Sequence, residues 1–583
     1  MKNNDFSINI TNVLIIGSGG AGLRAAIEAK SKGVSVCILS KRDKKDAHTV
    51  LAAGGINAAF GNLDKNDSWA SHFQDTYFEG YGIGDSETIE IMTKNAPLLV
   101  EEIDKWGANF QKLEDGRLDQ RFFGAHTHRR TCYSGDFTGK SILYTLINKI
   151  KSLDINILDS EYVTEILVEN NQCFGAVSFN LLNGLKTIHI ADSVILASGG
   201  HSGMWERNTS RSNENMGDGY ALALLAGCEL VDMEMVQFHP TGMVWPEDIS
   251  GTLVTEAVRG EGGVLTNIYG ERFMKNYDSK RMELSTRDKI AMANYAEIIE
   301  GRGTKKGGVY LDISHKSKDF IIEKLPRIYR QFIEYQLLDI SKEPMEVAPT
   351  AHYSMGGIKV NPSDHSTNVV GLYAAGEVAG GLHGANRLGG NSLAEILVFG
   401  KITGSAAANY SKNLNFQNRS QIIISKAIEN INKEIKNGTE MAKPLQNELG
   451  KIMWNCCGVI RNQEKLNQGI AKLINLKKML NHIDVRVADG EFGDLAKFFD
   501  FKFSLISAEA TLKSAKLRNE SRGSHQRSDF PLLDIKQQVN YKSLIKNKEV
   551  EVSKENIKEL NSRLKNLIKE TEKRKDIKGK LLE

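Results

Sequence analysis

The sequence predicts a mixed α/β chain (α+β overall): a Rossmann-like dinucleotide-binding domain, interrupted by an insertion and followed by a helical region. Three observations carry this. A β-branched run, Val13 to Gly17, leads into GSGGAG and then into the helix-compatible LRAAIEAKSKG. Two later segments, SVILASGG at 193–200 and VVGLYAAGEV at 369–378, again run from apolar strand into small residues. Beyond about Tyr410 the apolar spacing becomes helical.

In the first turn, Gly17 allows the tight bend, Gly19 with Gly20 beside it lets backbone approach a pyrophosphate, and Gly22 lets helix pack on strand. The N–H groups at the helix start then face the anion. After the next strand, Val34 to Leu39, a nicotinamide site often places a ribose-binding acid; here stand Ser40 and Lys41, which weighs against NAD. DAHTVLAAGGINAAF, at 46–60, holds His48 and Thr49 before the Gly54-Gly55 pair. By itself that histidine reads as an ordinary loop residue.

From Tyr162 to Leu196 the pattern alternates, with turn signals at Asn170-Asn171 and Asn183-Gly184, and predicts a small antiparallel sheet inserted in the nucleotide domain. The expected divisions are a nucleotide domain over 1–235 and 352–410, a second domain over 236–351, helices over 411–531 and a charged extension over 532–583. Leu466, Ile470, Leu473 and Ile474 are expected to share one helix face, as are Leu445, Leu449 and Ile452. The lysine-rich stretch after Pro531 reads as a solvated extension in preference to a binding arm.

At 583 residues the chain exceeds one core and leaves room for a large buried cofactor. Its 75 basic and 72 acidic residues nearly cancel, to +3, and offer no field that favours nucleic acid. Cys37, Cys132, Cys173, Cys228, Cys456 and Cys457 form no CxxC or ferredoxin-like run, so no metal site is expected here and a reducing compartment is. With no run of about 18 apolar residues and no signal-like start in MKNNDFSINITNVLIIG, the expectation is a soluble, uncleaved chain that reaches a membrane only through other chains.

Four further stretches set polar groups in apolar or glycine-rich surroundings: QFHPTG (237–242), LVTEAVRGEGG (253–263), STRDKI (285–290) with PTAHYSMGG (349–357), and LHGANRLGGNSLAE (382–395). Each alone reads as a satisfied core polar group or a capped turn, and Arg287 alone as an ion pair with Asp288. Together, His239, Thr255, His352 and Arg387 would offer donors suited to a substrate bearing carboxylates.

These segments, in this order and with ESRGSHQRSDFP at 520–531, resemble the flavoprotein subunit of the succinate dehydrogenase and fumarate reductase family over nearly the whole chain, the lysine-rich tail excepted. The resemblance implies FAD joined covalently to His48, with the pyrophosphate on the Gly17–Gly22 turn. Ser40, Thr49, Gly54, Gly55, Asp218, Glu377, Ser392 and Leu393 are further cofactor positions, and residues 236–351 become a domain that caps the substrate. It implies a dicarboxylate held by His239, Thr255, His352 and Arg387, and a proton carried by Arg287 with Glu256 and Arg259. It also implies an iron–sulfur subunit, membrane anchor subunits and a quinone as partners, on the cytoplasmic face of a membrane. Where better-known members carry glutamine or glutamate, this chain has Ala53, so direction cannot be taken from that residue; the overall pattern leans to succinate oxidation. L-aspartate oxidase, which lacks the linking histidine, and a soluble thiol-linked fumarate reductase remain alternatives. A scaffold without catalysis predicts erosion at Arg287, His352 or Arg387, and all three are present.

Overall fold

The structure is a computed structural model and describes residues 6–487 and 492–569. Its largest sheet has seven strands. Strands Asn156–Asp159, Val36–Ser40, Phe6–Ile16 and Lys186–Leu196 lie side by side, all parallel. Val13, Leu14 and Ile15 are fully buried, as a strand covered on both faces requires. On its other side Lys186–Leu196 has two partners. Its first half pairs antiparallel with Gln172–Asn180, and its last residues pair parallel with Leu372–Ala374. The ribbon Glu161–Glu169, Gln172–Asn180, Lys186–Leu196 is therefore part of the main sheet, which corrects the expected separate insert. The Asn170-Asn171 turn is present, both residues having positive φ.

Helix Gly20–Ser31 crosses helix Asn391–Lys412 at close range, because Gly404 faces the Ala25 carbonyl, where a methyl group would lie 2.2 Å away. That crossing brings the starts of both helices to one cavity.

A second, antiparallel sheet runs Val236–Met243, Met345–Ser354, Val309–Asp312, Val264–Thr266. It has its own apolar core, including Val258, Leu311 and Phe332. Helix Arg287–Glu297 packs on its first strand, where Asn294 Nδ2 donates to the Pro240 carbonyl at 2.9 Å.

Helices Gln421–Glu434, Ala442–Cys456, Gln463–Met479 and Gly493–Leu517 follow. On the third, Leu466 and Leu473 are buried but Ile474 is 51% exposed, and Leu476 takes the place expected for it. Residues 520–531 brace the nucleotide domain. Arg518 reaches Glu234 (2.7 Å), Asp232 (3.2 Å) and Glu520 (3.0 Å), and Ser524 Oγ donates to the Ala385 carbonyl (2.7 Å), two residues before Arg387.

The expected solvated extension after Pro531 is corrected over 532–569; its remainder, 570–583, lies outside the described residues. Val539–Lys546 and Glu549–Asn556 form a hairpin that extends a small sheet through Leu230–Val231, and helix Ser562–Lys569 buries Leu564 and Ile568 against the domain of Trp69–Glu79. The lysines hid an alternating pattern: Tyr541, Ser543 and Val550 are buried between exposed charges. Among the described residues no helix is long and apolar enough to cross a membrane.

Candidate active site

One cavity runs from the Gly17 turn to the antiparallel sheet of the second domain. At the turn, Gly17 has φ +116° and a methyl group there would meet the Ala197 carbonyl oxygen at 2.1 Å. Gly22 does not line the cavity; its work is packing, since a methyl would lie 2.0 Å from the Gly17 oxygen. Gly19 has open space, with only Thr49 Oγ1 at 3.7 Å, and Gly20 N–H donates to that same hydroxyl at 3.1 Å. Ser40 Oγ lies 2.6 Å from Ser18 Oγ.

The wall beyond Ser40 is polar. Lys41 Nζ sits 2.5 Å from Asp500 and 3.7 Å from Asp218. Asp500 comes from the helical region. Glu377 accepts the Ser354 N–H at 3.0 Å, and burial pushes its carboxyl up to about 7. Ser392 and Leu393, in the first turn of the long helix, line the cavity with Gly54 and Gly55. Ser198 Oγ and Arg387 Nε are buried without a protein partner, and both residues line the same space. Glycine-made clearance, two helix starts and orphaned polar atoms together fit a large dinucleotide such as FAD.

His48 lies in the short turn His48–Leu51, on the cavity wall, with Nδ1 3.0 Å from Glu214 Oε2. Burial opposes a charge on the imidazole, but Glu214 outweighs it and raises the His48 pKa above the ordinary value.

Toward the second domain the lining turns cationic. Arg287 Nε meets Glu256 Oε2 at 2.9 Å. Arg259 stands behind Glu256, 3.9 Å from the same oxygen, and does not line the cavity. Burial opposes ionisation of Glu256, yet Arg287 and Arg259 prevail and hold its carboxyl down to about 2. Arg259, buried, is lowered from the usual arginine value, and Arg387 is lowered to about 10 by burial and then by Arg287. His239 and His352, rings 5.3 Å apart, are held well below the usual histidine value, by burial first and then by neighbouring cationic groups. His239 Nδ1 lies 3.2 Å from both the N–H and the carbonyl oxygen of Thr241, which leaves Nε2 toward the cavity. Thr255 Oγ1 accepts the Ala257 N–H at 3.3 Å, leaving its own hydrogen to donate. Asp288 is not the partner of Arg287; it accepts from Tyr81 (3.1 Å) and Asn386 (3.1 Å).

Sequence reasoning missed Gln237, Tyr353 and Glu395, which order this end, and Glu214, which holds His48. Gln237 Oε1 accepts from both Arg287 (3.1 Å) and Arg387 (3.0 Å), joining two like charges through one oxygen. Its place two residues before His239 on one strand was the available signal. Arg387 lies over the Tyr353 ring, 4.1 Å from its centre, and Tyr353 OH donates to Glu395 at 2.5 Å. Glu214 had no signal in its spacing.

The chain is similar to known flavoproteins over most of its length. A family described as FAD binding domain matches residues 12–393, and one described as Fumarate reductase flavoprotein C-term matches residues 446–574. One subunit of the fumarate reductase (CoM/CoB) of Methanothermobacter marburgensis is 44% identical, over 89% of this chain and 94% of its own length. The succinate dehydrogenase flavoprotein subunit of Rickettsia bellii is 36% identical, over 89% and 90%. Among solved structures, Mycobacterium smegmatis Sdh1 in complex with UQ1 superposes with a TM-score of 0.88 at 37% identity, over 95% of each chain.

Proposed function

The chain belongs to the succinate dehydrogenase and fumarate reductase flavoprotein family and is an FAD-dependent oxidoreductase; on that premise we propose that it interconverts succinate and fumarate, with FAD joined covalently to His48. The observation that carries this reading is the cationic end of the cavity, where Arg287, Arg387, His239, His352 and Thr255 line one space beside the cofactor cleft.

When bound, FAD accepts or returns a hydride at one central carbon of the dicarboxylate. Arg387, over the Tyr353 ring and held by Ser392 and Gln237, grips one carboxylate, its buried Nε–H having no protein partner. Neutral His239 and His352 with Thr255 donate to the other, adding hydrogen bonds without adding charge. Burial of Arg387, His239 and Thr255 helps to exclude water from the reacting bond. Arg287 carries the proton at the neighbouring carbon. Glu256, 2.9 Å from Arg287 and 3.9 Å from Arg259, passes the proton between the two guanidinium groups.

Electrons leave or arrive through a partner chain, because the cysteines here lack cluster spacing. In this reading the partners are an iron–sulfur subunit, membrane anchor subunits and a quinone, the chain lies on the cytoplasmic face, and flux runs toward fumarate. A second reading has its own support: the relative at 44% identity is named for fumarate reduction with CoM/CoB, and reduction by thiols would keep every cavity side chain. All six cysteines are buried, with Cys37 pushed up to about 11 and Cys173 and Cys228 to about 12 by burial. The thiol chemistry of that reading would therefore sit on a partner.

The test is steady-state turnover of the purified chain with artificial carriers. Succinate-dependent dye reduction and fumarate-dependent oxidation of a reduced viologen are expected, with no response to L-aspartate; turnover of aspartate alone would overturn the reading. Purification with its native partners, then assay with a quinone and with a thiol pair, separates the two electron routes.

A further inference from the structure

His48 is held by a carboxylate that takes no part in the proposed dicarboxylate chemistry. Glu214 Oε2 lies 3.0 Å from His48 Nδ1 and also accepts the Arg211 N–H at 3.0 Å. Its side chain is 8% exposed. The loop that carries it is pinned at two points on the segment leading into the histidine. Arg42 donates to the Ser212 carbonyl at 2.7 Å, and Arg211 NH1 donates to the Asp46 carbonyl, two residues before His48. The carboxylate is thus fixed relative to the imidazole rather than swinging from the surface. Glu214 is kept ionised: burial raises its carboxyl, but His48 and the Arg211 N–H more than offset that and leave it below the usual value. An ionised carboxylate can only accept, so in the neutral ring the proton is on Nδ1 and the lone pair is on Nε2.

We propose that Glu214 is the positioning residue for covalent flavin attachment: it holds the Nδ1–H tautomer of His48 so that Nε2 attacks the 8α carbon, and it stabilises the imidazolium formed as that bond is made. The proposal rests on the reading that His48 is the attachment point. In the step, the Nε2–C8α bond forms and one 8α C–H bond breaks. The proton of that C–H bond leaves and its electron pair stays on the flavin, which is left reduced by two electrons; fumarate or dioxygen then reoxidises it. A neutral imidazole that alkylates at Nε2 becomes a cation with its remaining proton on Nδ1, at the position Glu214 faces. The charged neighbours of that ring are Glu214, Glu377 and Arg211, so the local balance favours the cation. After attachment the same contact keeps positive charge beside the flavin.

The test follows attachment itself and does not depend on turnover. Wild-type chain, Glu214→Gln and Glu214→Ala are induced in the native host, and the ratio of acid-stable to total bound flavin is measured at successive times, with the flavin-bearing peptide identified. Glu214→Gln keeps an acceptor oxygen and loses the charge; Glu214→Ala loses both. The proposal expects total flavin bound to stay near wild type while attachment slows roughly 10- to 100-fold in Glu214→Ala and less in Glu214→Gln. Attachment at the wild-type rate in both variants overturns the role of Glu214 and leaves the His48 reading standing. Absence of acid-stable flavin in the wild type overturns both. Loss of all bound flavin in both variants overturns the proposal in favour of a structural role. If Glu214→Ala alone fails to fold, Glu214→Gln decides by its rate.

Discussion

A ligand lying in the cavity would meet mostly backbone at one end and mostly charged side chains at the other. The nucleotide end is made by Gly17, Gly19, Gly20 and two helix starts, all within contiguous motifs. The dicarboxylate end draws Gln237, His239, Thr255, Glu256, Arg287, His352 and Arg387 from strands, turns and helices spread over some 150 residues of chain, 237–387. The difference decides how each end can fail. Backbone recognition fails when atoms are added, because clearance is what it supplies; side-chain recognition fails when a single polar atom is removed, because partners buried with it are left unpaired.

The most damaging break is expected at the charged end. Arg287→Ala should lower turnover by about 10²- to 10⁴-fold while FAD content and dicarboxylate binding persist, as read by flavin absorbance and by substrate perturbation of its spectrum. At the glycine end, Gly22→Ala adds a methyl against the Gly17 carbonyl oxygen. In a chain that also carries His48→Ala, where FAD is held without a bond, overpacking of about 1–3 kcal/mol should weaken FAD retention roughly 10- to 100-fold in a gel-filtration assay, with the cationic residues untouched. Gln237→Ala removes the oxygen shared by Arg287 and Arg387. A cost of about 1–2 kcal/mol should appear as a roughly tenfold fall in kcat/KM for succinate, and FAD content should not change.

The smallest effect concerns Glu377, which burial lifts to about 7 from 4.5. The folded chain then holds an extra proton between those values, so the stability it contributes is fully present below about 4.5 and is lost as pH rises through about 7. Cofactor-free wild type should lose only a few °C of Tm across that window, and Glu377→Gln should flatten the trend. If both ends respond alike to added atoms and to removed polar atoms, the contrast between them is wrong.

The same contrast explains what could be read from sequence. Gly17 through Gly22 act through local conformation, and their spacing announces the turn. His48, Arg287 and Arg387 are placed by whole motifs, since nothing in one loop histidine or one arginine marks chemistry. Gln237 sits inside QFHPTG yet escapes notice, because its role is to hold two other residues. Glu214 lies 166 positions from His48, and only folding brings them together. The tail misleads because charge count masks strand alternation: Tyr541, Ser543 and Val550 bury their side chains, while Lys546 and Lys548 stay exposed and Lys542 is half-buried against Glu229.

The most direct measurement is an anaerobic titration of the purified flavoprotein followed by flavin absorbance. Bleaching by succinate and recovery on adding fumarate, with L-aspartate silent and Arg287→Ala showing a binding perturbation but neither bleaching nor recovery on the wild-type timescale, is the predicted result. A flavin that L-aspartate bleaches and succinate does not, or that fumarate fails to reoxidise, would contradict the assignment of the cationic end to this pair of dicarboxylates.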